Sequence, residues 1–451
     1  MFPKPTIFPA LSVLCAALAL TACGGGGEGR EEPTPPAGDC SVAGQQAWLA
    51  NYMDDWYFWY RISPRPGAAG YRTVESYFDA LLYTGTSTTF PADRWSYSQS
   101  TESFNRFYGD GATLGYGVAV NGVEIDGDSS RPLFVRYVEP GSPAAQQGVA
   151  RGDEIRSVNG NSVASVIASN YTQLTPGESG QQLTLVLGRA GLERTVVLRA
   201  AVYTLVPVQG AAVRITPGGR RVAYVQVKDM ISQGLAPMTT AFAQFQAAGA
   251  QDLLLDLRYN GGGLVSTGGT LASHIAGARG AGLNYARLLY NDKRAGANNQ
   301  SFAFSQPAAS LGLPRVYVLA GPRTCSASEQ VINGLRGAGV EVITVGNTTC
   351  GKPVGFLPKS SCGRTYSAVN FESVNQRDEG RYFDGFDATC TVAEDFTVAQ
   401  GSAADPLVAA AVALADGGVC GRAAPLSLRR GDSKQRERVR EPEDRQGMLP
   451  R

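Results

Sequence analysis

Residues 316–356 read as one supersecondary unit, and its order of elements restricts the fold more than any other stretch of the chain. The apolar run 316–320 has β character and stops at Gly321-Pro322. Ala327, Val331, Ile332 and Leu335 then recur at helical spacing until Gly337 and Gly339 end the helix. A second strand over 340–345 delivers a loop carrying Lys352. Strand, turn, helix and strand in that order specify a mixed α/β core, with Ser326 on the helix N-terminus. Unpaired N–H groups there, aided by the helix dipole, would stabilise an anion forming on an atom attacked by the serine.

A serine needs a base to become a nucleophile, and the chain offers one histidine, His274. That residue lies in the apolar helical pattern Leu264, Leu271, Ile275, which makes it a packed structural histidine. Lys352 is the better candidate. To take a proton near pH 7 it must lose about three pKa units, at a cost of about 4 kcal/mol in charged-form stability. Desolvation can supply that, and its neighbours Gly351, Pro353, Val354, Gly355 and Phe356 include no acid to hold the ammonium charged.

The stretches Ser326-Ala327-Ser328-Glu329, Gly351-Lys352 and Asp256-Leu257-Arg258-Tyr259-Asn260-Gly261-Gly262-Gly263 resemble, in kind and order, those of the carboxyl-terminal processing peptidases, or tail-specific proteases. The resemblance covers residues 45–420. It implies a serine endopeptidase with a Ser326–Lys352 dyad, in which the Ala327 N–H and one of Gly262 or Gly263 form the oxyanion hole. It also implies the fold class, α+β or α/β and multidomain: a crotonase-like catalytic core, an inserted PDZ β-domain and a small N-terminal helical domain. Glu329, one helical turn from Ser326, is an auxiliary residue. A close Glu–Lys contact would hold the lysine charged, so capping or contact with a substrate amine suits it better. Asp256 and Arg258 suit a structural ion pair.

The sequence departs from the family pattern Gly-Lys-Gly-x-Val-Gln, because Pro353 follows the lysine and Phe356 stands where the family has the glutamine that orients it. Phe356 therefore favours an alternative, a catalytically inactive PDZ peptide-binding lipoprotein. Hydrolysis of a non-peptide acyl substrate is a further one.

The PDZ resemblance rests on Gly115-Tyr116-Gly117-Val118, then Glu139-Pro140-Gly141-Ser142-Pro143-Ala144, Gly152-Asp153-Glu154-Ile155 and Val158-Asn159-Gly160. Such domains add a peptide's C-terminal strand to a sheet edge and hold its carboxylate on backbone N–H groups, here Tyr116, Gly117 and Val118. The expected layout is a helical cap domain over 40–111, whose aromatic residues Trp48, Tyr52, Trp56 and Tyr60 recur at helical spacing, PDZ over 112–203, the catalytic core over 204–422 and a disordered charged tail over 423–451. An Arg430-Gly431-Asp432-Ser433 run in that tail carries no adhesion reading at its chance frequency.

Ahead of these lie Lys4, an apolar run over 7–20 and Leu20-Thr21-Ala22-Cys23. This reads as a lipoprotein signal over 1–22, with Cys23 as the lipidated residue and a flexible tether over 23–39. Gly24 follows it in place of aspartate, which implies a bacterial cell-envelope protein anchored in the outer membrane and facing the periplasm or the surface. A net charge of +1 argues against a nucleic-acid partner, and the expected partners are protein or peptide substrates with free C-termini. Cys40, Cys325, Cys350, Cys362, Cys390 and Cys420 form an even set suited to disulfides. An assembled dyad would bring Cys325 and Cys350 together, and Cys362 to Cys390 reads as a hairpin closed by another bridge. One histidine and scattered cysteines leave no metal site, and the chemistry requires no cofactor.

Overall fold

The computed structural model of the chain describes residues 39–420 and 447–450. The signal stretch, Cys23, most of the expected tether, residues 421–422 at the end of the expected core, and residues 423–446 and 451 of the expected tail lie outside the described residues.

The central sheet has six strands in the order Val208–Ile215, Arg221–Val227, Asp252–Asp256, Arg315–Ala320, Glu341–Gly346 and Cys390–Thr391. The first pair is antiparallel and the rest are parallel. Parallel strands covered on both faces read as unbroken apolar runs, which is why Leu253, Leu254 and Leu255, or Val316 to Leu319, carry no alternation; all are buried. The helices Leu235–Ala247, Val265–Ala276 and Ala327–Gly337 cross between strands. Three neighbouring parallel strands thus release their loops at one end of the sheet, where open α/β sheets place their sites. The loop after Asp252–Asp256 holds the glycine run, the loop after Arg315–Ala320 holds Ser326, and the loop after Glu341–Gly346 holds Lys352.

A second, antiparallel sheet, Gln300–Ala303, Asn284–Tyr290, Val369–Val374 and Val354–Phe356, stands beyond the lysine loop. One continuous apolar cluster joins the two sheets and their helices. It also takes in Leu49, Tyr52, Trp56, Trp59, Phe78, Tyr83 and Trp95, so the N-terminal helices Val42–Trp56 and Val74–Leu81 enclose no core of their own. The aromatic stripe anticipated over 45–60 is core. Its helix ends at Trp56, and Asn291 Nδ2 donates to the carbonyls of Asp55 and Tyr57 just where it stops.

Residues 116–200 have a separate apolar core, from Tyr116 and Val118 through Val158 and Leu185 to Leu198. Around it pack Val118–Val120 against Val135–Val138, and Glu154–Val158 against Gln182–Arg189, which pairs on its other side with Leu192–Arg199. Among the described residues no helix is long and apolar enough to cross a membrane.

Two expectations need correction. Within the tail expected to be disordered, Gly447–Leu449 is a strand, paired in parallel with Gly262–Leu264; its partner is remote in sequence, so local composition carried no sign of it. The bridges are Cys325–Cys350, Cys40–Cys362 and Cys390–Cys420, so Cys362 and Cys390 close no common hairpin. Cys362 tops the turn between Lys359–Ser361 and Arg364–Ser367. Cys390 lies on the edge strand beside Val345, a different part of the fold.

Candidate active site

Ser326 sits at φ 62°, ψ −118°, a conformation costly for any residue with a Cβ. Tertiary bonds over-determine it. Cys325 N–H donates to the Asn260 carbonyl at 3.1 Å, Ser328 Oγ donates to the same oxygen at 3.1 Å, and Thr324 Oγ1 donates to Leu257 O at 2.8 Å. The turn therefore leans on the glycine loop of the neighbouring strand. Ser326 is fully buried and its Oγ has no hydrogen-bond partner among the described residues.

Glu329 joins the serine turn to the lysine loop. One carboxylate oxygen accepts the Ser326 N–H at 2.9 Å and the Lys352 N–H at 2.8 Å. The other accepts the Gly351 N–H at 2.8 Å and Thr349 Oγ1 at 2.5 Å. Burial pushes this carboxyl above the usual glutamate range against the pull of those donors. The Cys325–Cys350 bond, with Cα atoms 5.2 Å apart, ties the same two loops a second time. Cys325, Glu329 and Cys350 also lie close enough to resemble a ligand set, but the sulfurs are bonded to each other and the carboxylate is saturated with donors.

Lys352 is completely buried, with Nζ 3.9 Å from the centre of the Phe356 ring. The ring that replaces the family's glutamine thus lies directly against the amine, and Tyr97 holds it edge-on at 5.6 Å. The main-chain N–H groups of Ser326 and Lys352 both donate to one Glu329 oxygen.

The glycine run lies against the serine turn, and its backbone groups face different ways. Gly262 N–H donates to Asn260 Oδ1 at 2.9 Å and Gly262 O accepts from Met230 N–H at 3.1 Å. Backbone groups of successive strand residues face opposite ways, so Gly263 presents its N–H on the other side. A Cβ on Gly262 would lie 2.9 Å from the Ala327 nitrogen, so glycine is needed for the two segments to touch. Asn260 and Thr349 had no role in the sequence reading. The polar residue at the head of a glycine run was the one available signal for Asn260; nothing local marked Thr349.

His274 stands apart as a structural residue. Its Nδ1 is 2.7 Å from Ala309 O, its ring stacks on Phe242, and burial lowers its pKa. Arg258 pairs with Asp256 and Asp405, each at 2.6 Å, wholly inside the protein, as suits structural partners. Tyr116, Gly117 and Val118 lie at the start of the smaller core: Tyr116 O accepts from Ala144 N–H and Gly117 O from Glu139 N–H. The strand they lead into, Val118–Val120, ends at a carbonyl that Arg323 Nη2 approaches at 3.4 Å, three residues before Ser326.

Residues 221–370 match peptidase family S41, 134–189 match the PDZ domain and 44–97 match the peptidase S41 N-terminal domain. The chain is 28% identical over 310 residues to the chloroplastic C-terminal processing peptidase of Tetradesmus obliquus, covering 63% of this chain and 64% of that one. It is 26% identical over 245 residues to a carboxyl-terminal-processing protease of Picosynechococcus, covering 54% and 55%. The chain thus spans between half and two thirds of the length of these curated relatives. A crystal structure from Bacteroides fragilis assigned to the S41 proteases superposes with a TM-score of 0.63 at 25% identity, covering 82% of this chain and 97% of that one.

Proposed function

Because the chain belongs to peptidase family S41, we propose that it is a serine endopeptidase that cleaves proteins near their C-termini. A substrate tail adds to the edge of Val118–Val120 that faces away from Val135–Val138, its carboxylate on the Tyr116, Gly117 and Val118 N–H groups. Ser326 Oγ attacks a peptide carbonyl carbon while neutral Lys352 takes the hydroxyl proton, later giving it to the leaving amine; water then hydrolyses the acyl-enzyme. The Ala327 N–H and, with Gly262 engaged by Asn260, the Gly263 N–H stabilise the oxyanion. The observation that carries this reading is the single Glu329 oxygen accepting both the Ser326 and the Lys352 N–H. It ties the main chain of the serine turn to that of the lysine loop.

The same reading takes 204–422 as a crotonase-like core, 112–203 as the PDZ domain and 40–111 as the N-terminal part. It also takes Cys23 as a lipid anchor at the outer membrane. The second reading, a peptide binder without catalysis, draws on Phe356 and on the Ser326 hydroxyl, which has no hydrogen-bond partner among the described residues. A serine-reactive phosphonate separates them. The enzyme is labelled, and labelling is lost in Ser326→Ala and Lys352→Ala; a wild-type chain that never labels is the binder. Cleavage of a peptide with a free C-terminus but not of its amidated twin supports tail capture.

A further inference from the structure

We propose that the chain cuts its own C-terminal segment at the Gly447–Met448 bond; this rests on the peptidase reading above. The strand Gly447–Leu449 lies along the glycine strand in parallel register, Gly262 opposite Gly447, Gly263 opposite Met448 and Leu264 opposite Leu449. On its other side the Met448 carbonyl oxygen comes 2.5 Å from where a Cβ on Gly355 would stand, three residues past Lys352. The segment therefore runs between the strand bearing the oxyanion donor and the strand that follows the base.

The register selects one carbonyl. Gly447 N–H donates to Gly261 O at 3.1 Å. In a parallel ladder the donor two residues along, Gly263 N–H, then faces the Gly447 carbonyl. That carbonyl oxygen and the Ala327 nitrogen both lie within 3 Å of the Cβ position on Gly262, so the Gly447 carbonyl lies among the backbone donors assigned to the oxyanion. Ser326 Oγ forms a bond to the Gly447 carbonyl carbon, and its proton passes through Lys352 to the Met448 nitrogen. The C–N bond breaks and a peptide beginning with Met448 leaves as a free amine. Water then adds hydroxyl to the Gly447 acyl carbon and returns the proton to Ser326, so the cut consumes one water.

The side chains beside the bond give it a specificity. A Cβ on Gly447 would collide with Tyr108 Oη, so the residue before the cut is glycine. Met448 is wholly buried in the main core, and Leu449 is buried among Phe104, Phe107, Leu205 and Ile231. Two apolar residues after a glycine are thus what this cleft accepts.

The test compares the full chain with Ser326→Ala, by intact mass and C-terminal peptide mapping. The wild-type protein is expected to lose the residues from Met448 onward and the variant to keep them. Gly447→Val is expected to keep the segment while phosphonate still labels Ser326. Loss at a rate per molecule independent of concentration supports cleavage within one chain; a rate proportional to concentration overturns that seating in favour of a second copy. A wild-type chain that labels with phosphonate yet keeps its segment, or is cut at another bond, overturns the proposal and leaves the peptidase reading intact. A chain that neither labels nor cuts overturns both.

Discussion

Glu329 does the work of a brace with the chemistry of a catalyst, and its surroundings say which it is. All four of its bonds come from the serine turn and the lysine loop, three of them from main-chain N–H groups. Glu329→Gln presents an NH₂ group to at least one of those donors, leaving it unmatched at about 1–3 kcal/mol. The expected result is a lower melting temperature and a fall in kcat with KM little changed, read by calorimetry and peptide hydrolysis. Phe356 belongs to the same scale. Removing its ring in Phe356→Ala empties the space against Lys352 at about 3–5 kcal/mol and is expected to abolish turnover, whereas Phe356→Gln supplies the family's amide and retains it. If both variants turn over alike, the ring has no part in holding the amine. His274 offers a check on pH. Burial lowers its pKa from the ordinary 6.5, so in acid the unfolded chain takes up its proton before the native one does. Stability is expected to be intact above that value and to fall as the pH drops below it. His274→Gln should flatten that part of a melting-temperature profile.

The elements were readable in proportion to how local their causes are. Leu253 to Leu255 and Val316 to Leu319 announced buried parallel strands because both faces are covered, and Gly337 and Gly339 marked the end of the helix that follows Ser326. Ser326 and Lys352 stood out by local signals, a helix N-terminus and a loop without acids, and the strands that precede them are neighbours in one sheet. The pairings of Cys40, Cys362, Cys390 and Cys420 were not, because they depend on how distant elements stack. The Gly447–Leu449 strand was hidden for the same reason, its short apolar run following a charged stretch. Cys325–Cys350 is the bridge that the site itself required. Closing a 25-residue span, it contributes on the order of 3 kcal/mol by restricting the unfolded chain. The double variant Cys325→Ala, Cys350→Ala is expected to unfold at correspondingly lower denaturant concentration and to lose activity well before it unfolds, as measured by paired fluorescence and hydrolysis curves.

At the scale of the whole molecule, the smaller core and the sheet are joined by buried charge. Arg323 Nε pairs with Glu124 Oε1 at 2.7 Å, and Arg151 pairs with Glu394 at 2.9 Å. Glu394 in turn reaches Arg258 and so the Asp256–Asp405 group behind the glycine loop. Glu124→Gln exchanges a carboxylate for an amide against a guanidinium that is almost fully enclosed, and loss of that charged hydrogen bond is expected to cost about 1.5–3 kcal/mol. Chemical denaturation of the full chain is expected to register that loss.

The Cys40–Cys362 bond joins positions 322 residues apart, and it determines where a mechanical load would go. Tension applied to the chain ahead of Cys40 passes through two sulfur atoms into the turn at Cys362 and is spread over the antiparallel strands on either side. The helix Val42–Trp56, which begins two residues later, is shunted out of the line of force.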